Sequence, residues 1–274
     1  MATVTLILGK SGSGKSTAMR NLDPDATALI QIIKKPLPFK GAAQWKPYVT
    51  DDYAKIIGAA RQTKRKVIVI DDFQYMLANE FMRRSEEKGF DKFCDIGRHT
   101  WDVFDALLKL PDDVRVYILS HTEETDAGQI KMKTIGKMLD DKITLEGMVT
   151  IVLRAVVQDR NHLFSTRNNG SDTTKAPMGM FEDDLIDNDL AAVDAAICDY
   201  YSLSAAASPQ GENACSTSTP MRPVPLTTNR HLLMKPASTS ATSPAQSTWR
   251  RRKPAPPESA SPTRPMPVPR LSSM

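Results

Sequence analysis

Apolar residues in the first two hundred positions fall into short runs that alternate with segments of helical spacing. Thr3–Gly9 is β-branched and apolar up to a glycine, which predicts a strand. Lys15–Leu22 predicts a helix closed by Asp23-Pro24, and Ala26–Ile33 is a second apolar run, broken by Lys34-Lys35-Pro36. Asp51–Gln62 predicts a helix with Asp51 or Asp52 as its N-cap. Val67–Asp72 predicts a third strand, apolar until two carboxylates end it, and Val114–Ser120 a fourth. Between them, Phe73–Arg84 and Asp91–Leu110 predict helices, the second stopped by Pro111. Met148–Val157 and His162–Thr166 predict a fifth strand and its hairpin partner. In Leu185–Tyr201 the residues Ile186, Leu190, Val193, Ile197 and Tyr200 recur at spacings of 4, 3, 4 and 3, which predicts an amphipathic helix.

Strands that are apolar throughout and alternate with helices indicate the α/β class, a mostly parallel sheet sandwiched by helices. Ligands of such sheets bind at the carboxyl ends of the strands. No apolar run approaches the ~18 residues of a membrane-spanning helix, so no membrane partner is expected. Met1-Ala2-Thr3-Val4 leads straight into the first strand without a basic n-region, so no secretory leader is expected either. Cysteines at 94, 198 and 215 have neither a disulfide framework nor metal-ligand spacing, which suits a reducing cytoplasm.

The formal net charge of +4 is an average over two unlike pieces. Residues 205–274 hold nine Lys or Arg and two acids, with 13 of the 19 prolines, so this tail carries +7 and residues 1–204 carry −3. Proline, serine and threonine fill 32 of the 70 tail positions, a composition too poor in apolar groups to offset the entropy of ordering. The reading is one domain, 1–204, followed by a disordered tail. The tail's Arg250-Arg251-Arg252-Lys253 cluster fits non-specific attraction to DNA, and the composition fits an out-of-frame gene end equally well.

The chemistry concentrates at predicted strand ends. Gly9-Lys10-Ser11-Gly12-Ser13-Gly14-Lys15-Ser16 matches G-x-x-x-x-G-K-[ST] in full, with Thr17 next. Glycines let such a loop turn its N–H groups toward phosphate oxygens, and the following helix would add its positive end. Lys15 would reach the β- and γ-phosphates of ATP, and the Ser16 hydroxyl would hold Mg2+. Val67–Asp72 has the form of a Walker B strand: Asp71 would orient Mg2+ through its water shell, and Asp72 would polarise the attacking water. Either carboxylate would serve equally as an N-cap for the helix at 73–84. Ser120 and His121 close the fourth strand, where Ser120 or His121 would sense the γ-phosphate; a satisfied loop residue is the plain alternative for the histidine.

Gly9–Thr17, Val69–Tyr75, Ile118–Glu123 and Lys133–Asp140, with Thr174-Lys175-Ala176-Pro177, resemble the phage-encoded P-loop ATPases with a RecA-like core. These are usually labelled phage AAA or nucleotide-binding proteins, some grouped with single-strand annealing proteins. The resemblance spans roughly residues 1–200 and implies ATP-dependent work on single-stranded DNA, in phage recombination or replication within a bacterial cytoplasm. In P-loop ATPases with an inserted strand between the phosphate-loop strand and the Walker B strand, the end of the fourth strand would face the γ-phosphate, and by analogy with RecA cores a ring or filament is expected. The RecA pattern has a catalytic Glu after the second strand, whereas Ala26–Lys40 contains none, which shifts the general-base role toward Asp72.

Two basic segments would line a DNA channel in such a core: Lys131, Lys133 and Lys137 after the fourth strand, and Arg160, Arg167 and Lys175 around the turn at Asn168-Asn169-Gly170. Solvated basic loops are the plain alternative. Lys175 would otherwise reach a neighbouring subunit's γ-phosphate. Phe73, Tyr75, Trp101, Phe104, Tyr200 and Tyr201 fall on helical patterns and are expected in the core. Two further functions share these motifs: a nucleotide-switched annealing scaffold with little turnover, and a small-molecule kinase. The segment Thr122–Lys137 lacks the arginines of a kinase lid.

Overall fold

A computed structural model describes residues 1–135 and 142–203. Lys137 and the tail, including Arg250–Lys253, lie outside the described residues.

Nine strands form the sheet: β1 (Thr3–Gly9), β2 (Thr27–Gln31), β3 (Tyr48–Val49), β4 (Val67–Asp71), β5 (Arg115–Glu124), β6 (Ile130–Met132), β7 (Ile151–Gln158), β8 (Asn161–Ser165) and β9 (Leu185–Asp187). Among the described residues four α-helices accompany them: α1 (Tyr53–Gln62), α2 (Gln74–Arg83), α3 (Asp91–Leu108) and α4 (Leu190–Tyr200). The strand order is β3-β2-β4-β5-β1-β7-β8-β9, with β6 pairing to β5. Pairs from β3 through β7 are parallel, while β5–β6, β7–β8 and β8–β9 are antiparallel. The predicted α/β class and the β7–β8 hairpin are therefore found, and β5 lies between β1 and β4.

Alternation along each strand sorts its side chains onto two faces. Leu6, Ile68, Ile70, Val116 and Ile118 pack under α1, α2 and α3 against Ile56, Met76, Phe104 and Leu107. Ile7, Val67, Val69, Tyr117, Leu119 and Leu153 face the other way, against Ala18, Met19, Leu190, Val193 and Ile197. Burying a Leu, Ile or Phe side chain stabilises by about 1.5–3 kcal/mol, so both faces are needed to hold the sheet.

Several elements differ from expectation. Lys15–Leu22 is not an α-helix but a 3-10 segment over Ser16–Asn21. At its start the N–H of Ala18 is shared between the carbonyls of Gly14 at 3.0 Å and Lys15 at 3.2 Å, and the N–H of Leu22 closes it on the Met19 carbonyl. β5 continues four residues past Ser120, because β6 pairs with its outer half as Thr122↔Met132 and Glu124↔Ile130. Leu185–Tyr201 is two elements: β9 pairs with β8, and α4 starts only after Asp189, whose side chain accepts from the N–H of Ala191. Asp52 rather than Asp51 caps α1, accepting from Ala54 and Lys55. Among the predicted core aromatics, Phe73 and Phe104 are buried and meet edge to face. Trp101, Tyr200 and Tyr201 are instead about two-fifths exposed, at 40%, 43% and 40%.

No helix among the described residues is long and apolar enough to cross a membrane.

Candidate functional site

Parallel pairing brings the carboxyl ends of four strands level. Gly9 of β1 is opposite His121 of β5, and Gln31 of β2 is opposite Asp71 of β4. A groove of about 770 Å³ opens over these ends, within the size range of small-ligand sites.

One wall is the glycine-rich loop. A Cβ on Gly9 would lie 2.5 Å from the Ser13 hydroxyl and 2.9 Å from the Ala155 carbonyl, so close packing demands glycine there. Gly14 has φ 95°, and its Cβ would lie 2.9 Å from Nδ1 of His162, so it needs glycine for both backbone and space. Lys15 folds back over the loop and donates to the carbonyls of Gly9 at 2.8 Å and Lys10 at 2.9 Å. Burial lowers its pKa to about 8, against the opposing pull of Asp72 and Asp71. Lys10, Ser11, Gly12, Gly14, Ser16 and Thr17 also line the groove, while Ser13 is buried behind it.

Beside the loop stand the two carboxylates. Asp71 shares the parity of Val67 and Val69, so its side chain lies on the face covered by the segment Ser16–Asn21. There Ser16 Oγ donates to Asp71 Oδ1 at 2.8 Å, a contact between residues 55 positions apart. The second oxygen, Oδ2, is buried with no hydrogen-bond partner among the described residues. Burial and the neighbouring Asp72 raise the Asp71 pKa, while Ser16, Lys35 and Lys15 oppose the rise. A hydroxyl and a carboxylate oxygen in contact, with a further orphaned oxygen behind them, are a donor set that suits Mg2+.

Asp72 has φ 62°, a left-handed backbone that aims its buried carboxylate into the groove. Neither carboxylate is an N-cap: α2 begins at Phe73 without a side-chain cap, and it is the backbone carbonyl of Asp72 that accepts from Tyr75. Asp72 Oδ2 is paired with the Lys35 ammonium, and Oδ1 lies 3.8 Å from Nε2 of His121. Burial works against the Lys35 charge, but Asp72 and Asp71 more than offset it, and its pKa rises. Burial and the nearby Lys15 lower the pKa of His121, which holds the imidazole neutral near pH 7. The Tyr75 ring stands edge-on to His121, 5.8 Å between centroids; it is half-buried, packed against the core as expected and lining the groove as well.

Lys35, Tyr75 and His162 line the groove but are not legible as site residues in the sequence. The position of Lys35, after the second strand where the RecA pattern carries an acid, was the available signal. No spacing rule points to His162, which arrives on the antiparallel strand β8 and donates through Nδ1–H to the Ser13 carbonyl, 3.1 Å away.

The expected DNA-contact residues are only partly brought together. The segments carrying Lys131, Lys133 and Lys175 meet where the N–H of Ile130 donates to the Ser171 carbonyl at 2.7 Å. Lys133 lines the groove, and its N–H donates to the carbonyl of His121. Lys131 is paired with Glu123 at 3.4 Å. Lys175 exchanges backbone bonds with Val152. Arg160 sits instead in the β7–β8 turn at φ 67°, and Arg167 is paired with Asp184 at 2.7 Å.

Neither any family model nor any curated protein sequence matches the chain.

Proposed function

We propose that the chain is a Mg2+-dependent ATPase of the P-loop class with a RecA-like sheet, acting on single-stranded DNA. The observation that carries this reading is the convergence of Lys15, Ser16 and Asp71, with the hydroxyl 2.8 Å from the carboxylate across β1 and β4. The position of β5 between those strands supports the RecA-like order. DNA as the partner rests on the family resemblance and on the meeting of the basic segments near the groove.

Ser16 and Asp71 would hold the magnesium ion, which screens the phosphate charge when bound. The loop N–H groups and Lys15 bind the phosphates, Lys15 by exchanging its two carbonyl acceptors for phosphate oxygens. Asp72 faces the groove as the carboxylate that takes the proton of the attacking water while the bond between the γ-phosphorus and the ADP oxygen breaks. His121, neutral and 3.8 Å from Asp72, stands opposite Gly9 as the γ-phosphate sensor. ATP turnover measured with single-stranded DNA, duplex DNA and no DNA tests the reading. Stimulation by single strands and loss in Lys15→Ala are expected; turnover indifferent to DNA would sink the DNA part.

A nucleotide-switched annealing scaffold is the second reading. The tie between Asp72 and Lys35, in a region without a catalytic Glu, favours it. Strand annealing that survives Lys15→Ala would select it.

A further inference from the structure

We propose that Lys35 is a second phosphate-binding lysine, supplied by the same chain, that reads the γ-phosphate by leaving Asp72 for it. This rests on the ATPase reading above.

Four observations place it in this role. Lys35 and Lys15 line one groove, and among the described residues no arginine lines it. The Lys35 side chain is 40% exposed while Asp72 is 4% exposed, so the lysine is reachable by a ligand and its partner is not free to follow it out. The segment that delivers Lys35 is anchored at its root: buried Gln31 donates through Nε2 to the Lys35 carbonyl at 3.0 Å, and the N–H of Ile32 donates to the Asp71 carbonyl at 3.2 Å. Finally, the left-handed backbone of Asp72 keeps its carboxylate pointing inward whichever partner it has.

Charge balance makes the exchange favourable. Without nucleotide, Lys15 and Lys35 stand against Asp71 and Asp72, and Lys10 and Lys133 also line the groove. A triphosphate adds about four negative charges next to those carboxylates, and a polyphosphate outcompetes one carboxylate for an ammonium. When Lys35 turns to the γ-phosphate, Asp72 loses its cation and keeps His121, 3.8 Å away, as neighbour. The base is thereby uncovered only when the group to be cleaved is in place. ADP has no γ-phosphate, so Lys35 stays on Asp72 and the carboxylate stays blocked. Lys35 also meets the charge that an arginine finger stabilises in other P-loop enzymes, without a second subunit.

The test is the affinity of Lys35→Ala and Lys35→Arg for Mg-ADP and for a non-hydrolysable Mg-ATP analogue, together with ATP turnover. In Lys35→Ala the analogue is expected to weaken by roughly 30-fold and ADP to change by less than about threefold. Turnover should fall by about a hundredfold or more, with partial recovery in Lys35→Arg. Equal loss for both nucleotides makes Lys35 a structural residue and overturns the inference, as does no change for either. Should Lys35→Ala fold poorly, Lys35→Met keeps the stem and answers by the same criteria. Wild-type protein that binds the analogue no more tightly than ADP refutes the inference without any variant. If wild type binds neither nucleotide, the ATPase reading itself fails; if it binds both and Lys35 is indifferent, only this inference does.

Discussion

Asp194 and Asp72 are both buried carboxylates with cationic partners, and they are arranged in opposite ways. Asp194 on α4 accepts Nε and Nη2 of Arg115 at 2.9 Å each and the Tyr117 hydroxyl at 2.6 Å. Arg115 is fully buried, and its remaining donor Nη1 finds the Asp113 carbonyl. Burial and the adjacent Asp194 raise the Tyr117 pKa well above its ordinary value, so the phenol stays a donor. Every partner is rigid and both carboxylate oxygens are used, so the cluster clamps α4 to β5. Asp72 has a flexible lysine on one oxygen, a histidine beyond hydrogen-bond range of the other, and a left-handed backbone. Next to it Asp71 keeps a buried oxygen unpaired. Satisfied groups hold structure; buried groups left partly unsatisfied, at the open end of a sheet, are disposed to receive a ligand.

Replacement of each carboxylate separates the two roles. Asp72→Asn should lower ATP turnover by roughly 10²–10⁴-fold while thermal stability hardly moves. Asparagine tolerates the left-handed backbone, and the freed Lys35 is solvated. A large drop in melting temperature would make Asp72 structural after all. Asp194→Ala should do the converse and destabilise by about 3–5 kcal/mol, because it strands a buried guanidinium. The double change Arg115→Met with Asp194→Leu should recover most of that loss in denaturant titrations. If Asp194→Ala alone is as stable as wild type, the clamp is illusory.

A pH titration sharpens the groove side of the comparison. In the free protein Lys15 keeps its proton only up to about pH 8, and phosphate binding needs the charged form. Above that pH, binding must take up a proton, so the dissociation constant for Mg-ADP should rise by up to about tenfold per pH unit between 8 and 10. A constant affinity across that range contradicts the buried ammonium. The smallest effect is expected far from both clusters: Asp52→Ala removes the cap of α1 and should cost about 1 kcal/mol in unfolding free energy, with turnover unchanged.

Much of the architecture was readable before any coordinates. β1, β2 and β4 are continuous apolar runs, and a run of that kind has no stable place except inside a covered parallel sheet. The boundary errors share one cause. β5 outruns its apolar stretch because β6 supplies a partner for polar residues, and β9 splits from α4 because β8 offers an edge to pair with. Pairing with a distant segment is invisible to local periodicity.

The same division runs through the candidate site. Sequence alone determined the glycine-rich loop, because the conformations of Gly9 and Gly14 and the places of Lys15 and Ser16 depend on backbone freedom and local spacing, which a contiguous stretch encodes. It also placed Asp71 and Asp72 at a strand end, where a charge after an apolar run must lie. Only the tertiary structure decided what those groups meet. Strand order put Asp71 against Ser16, the bend after β2 put Lys35 on Asp72, and the β7–β8 hairpin put His162 behind Gly14. Electrostatic partnership depends on distance through space, and that distance is fixed by which strands are neighbours and not by separation along the chain.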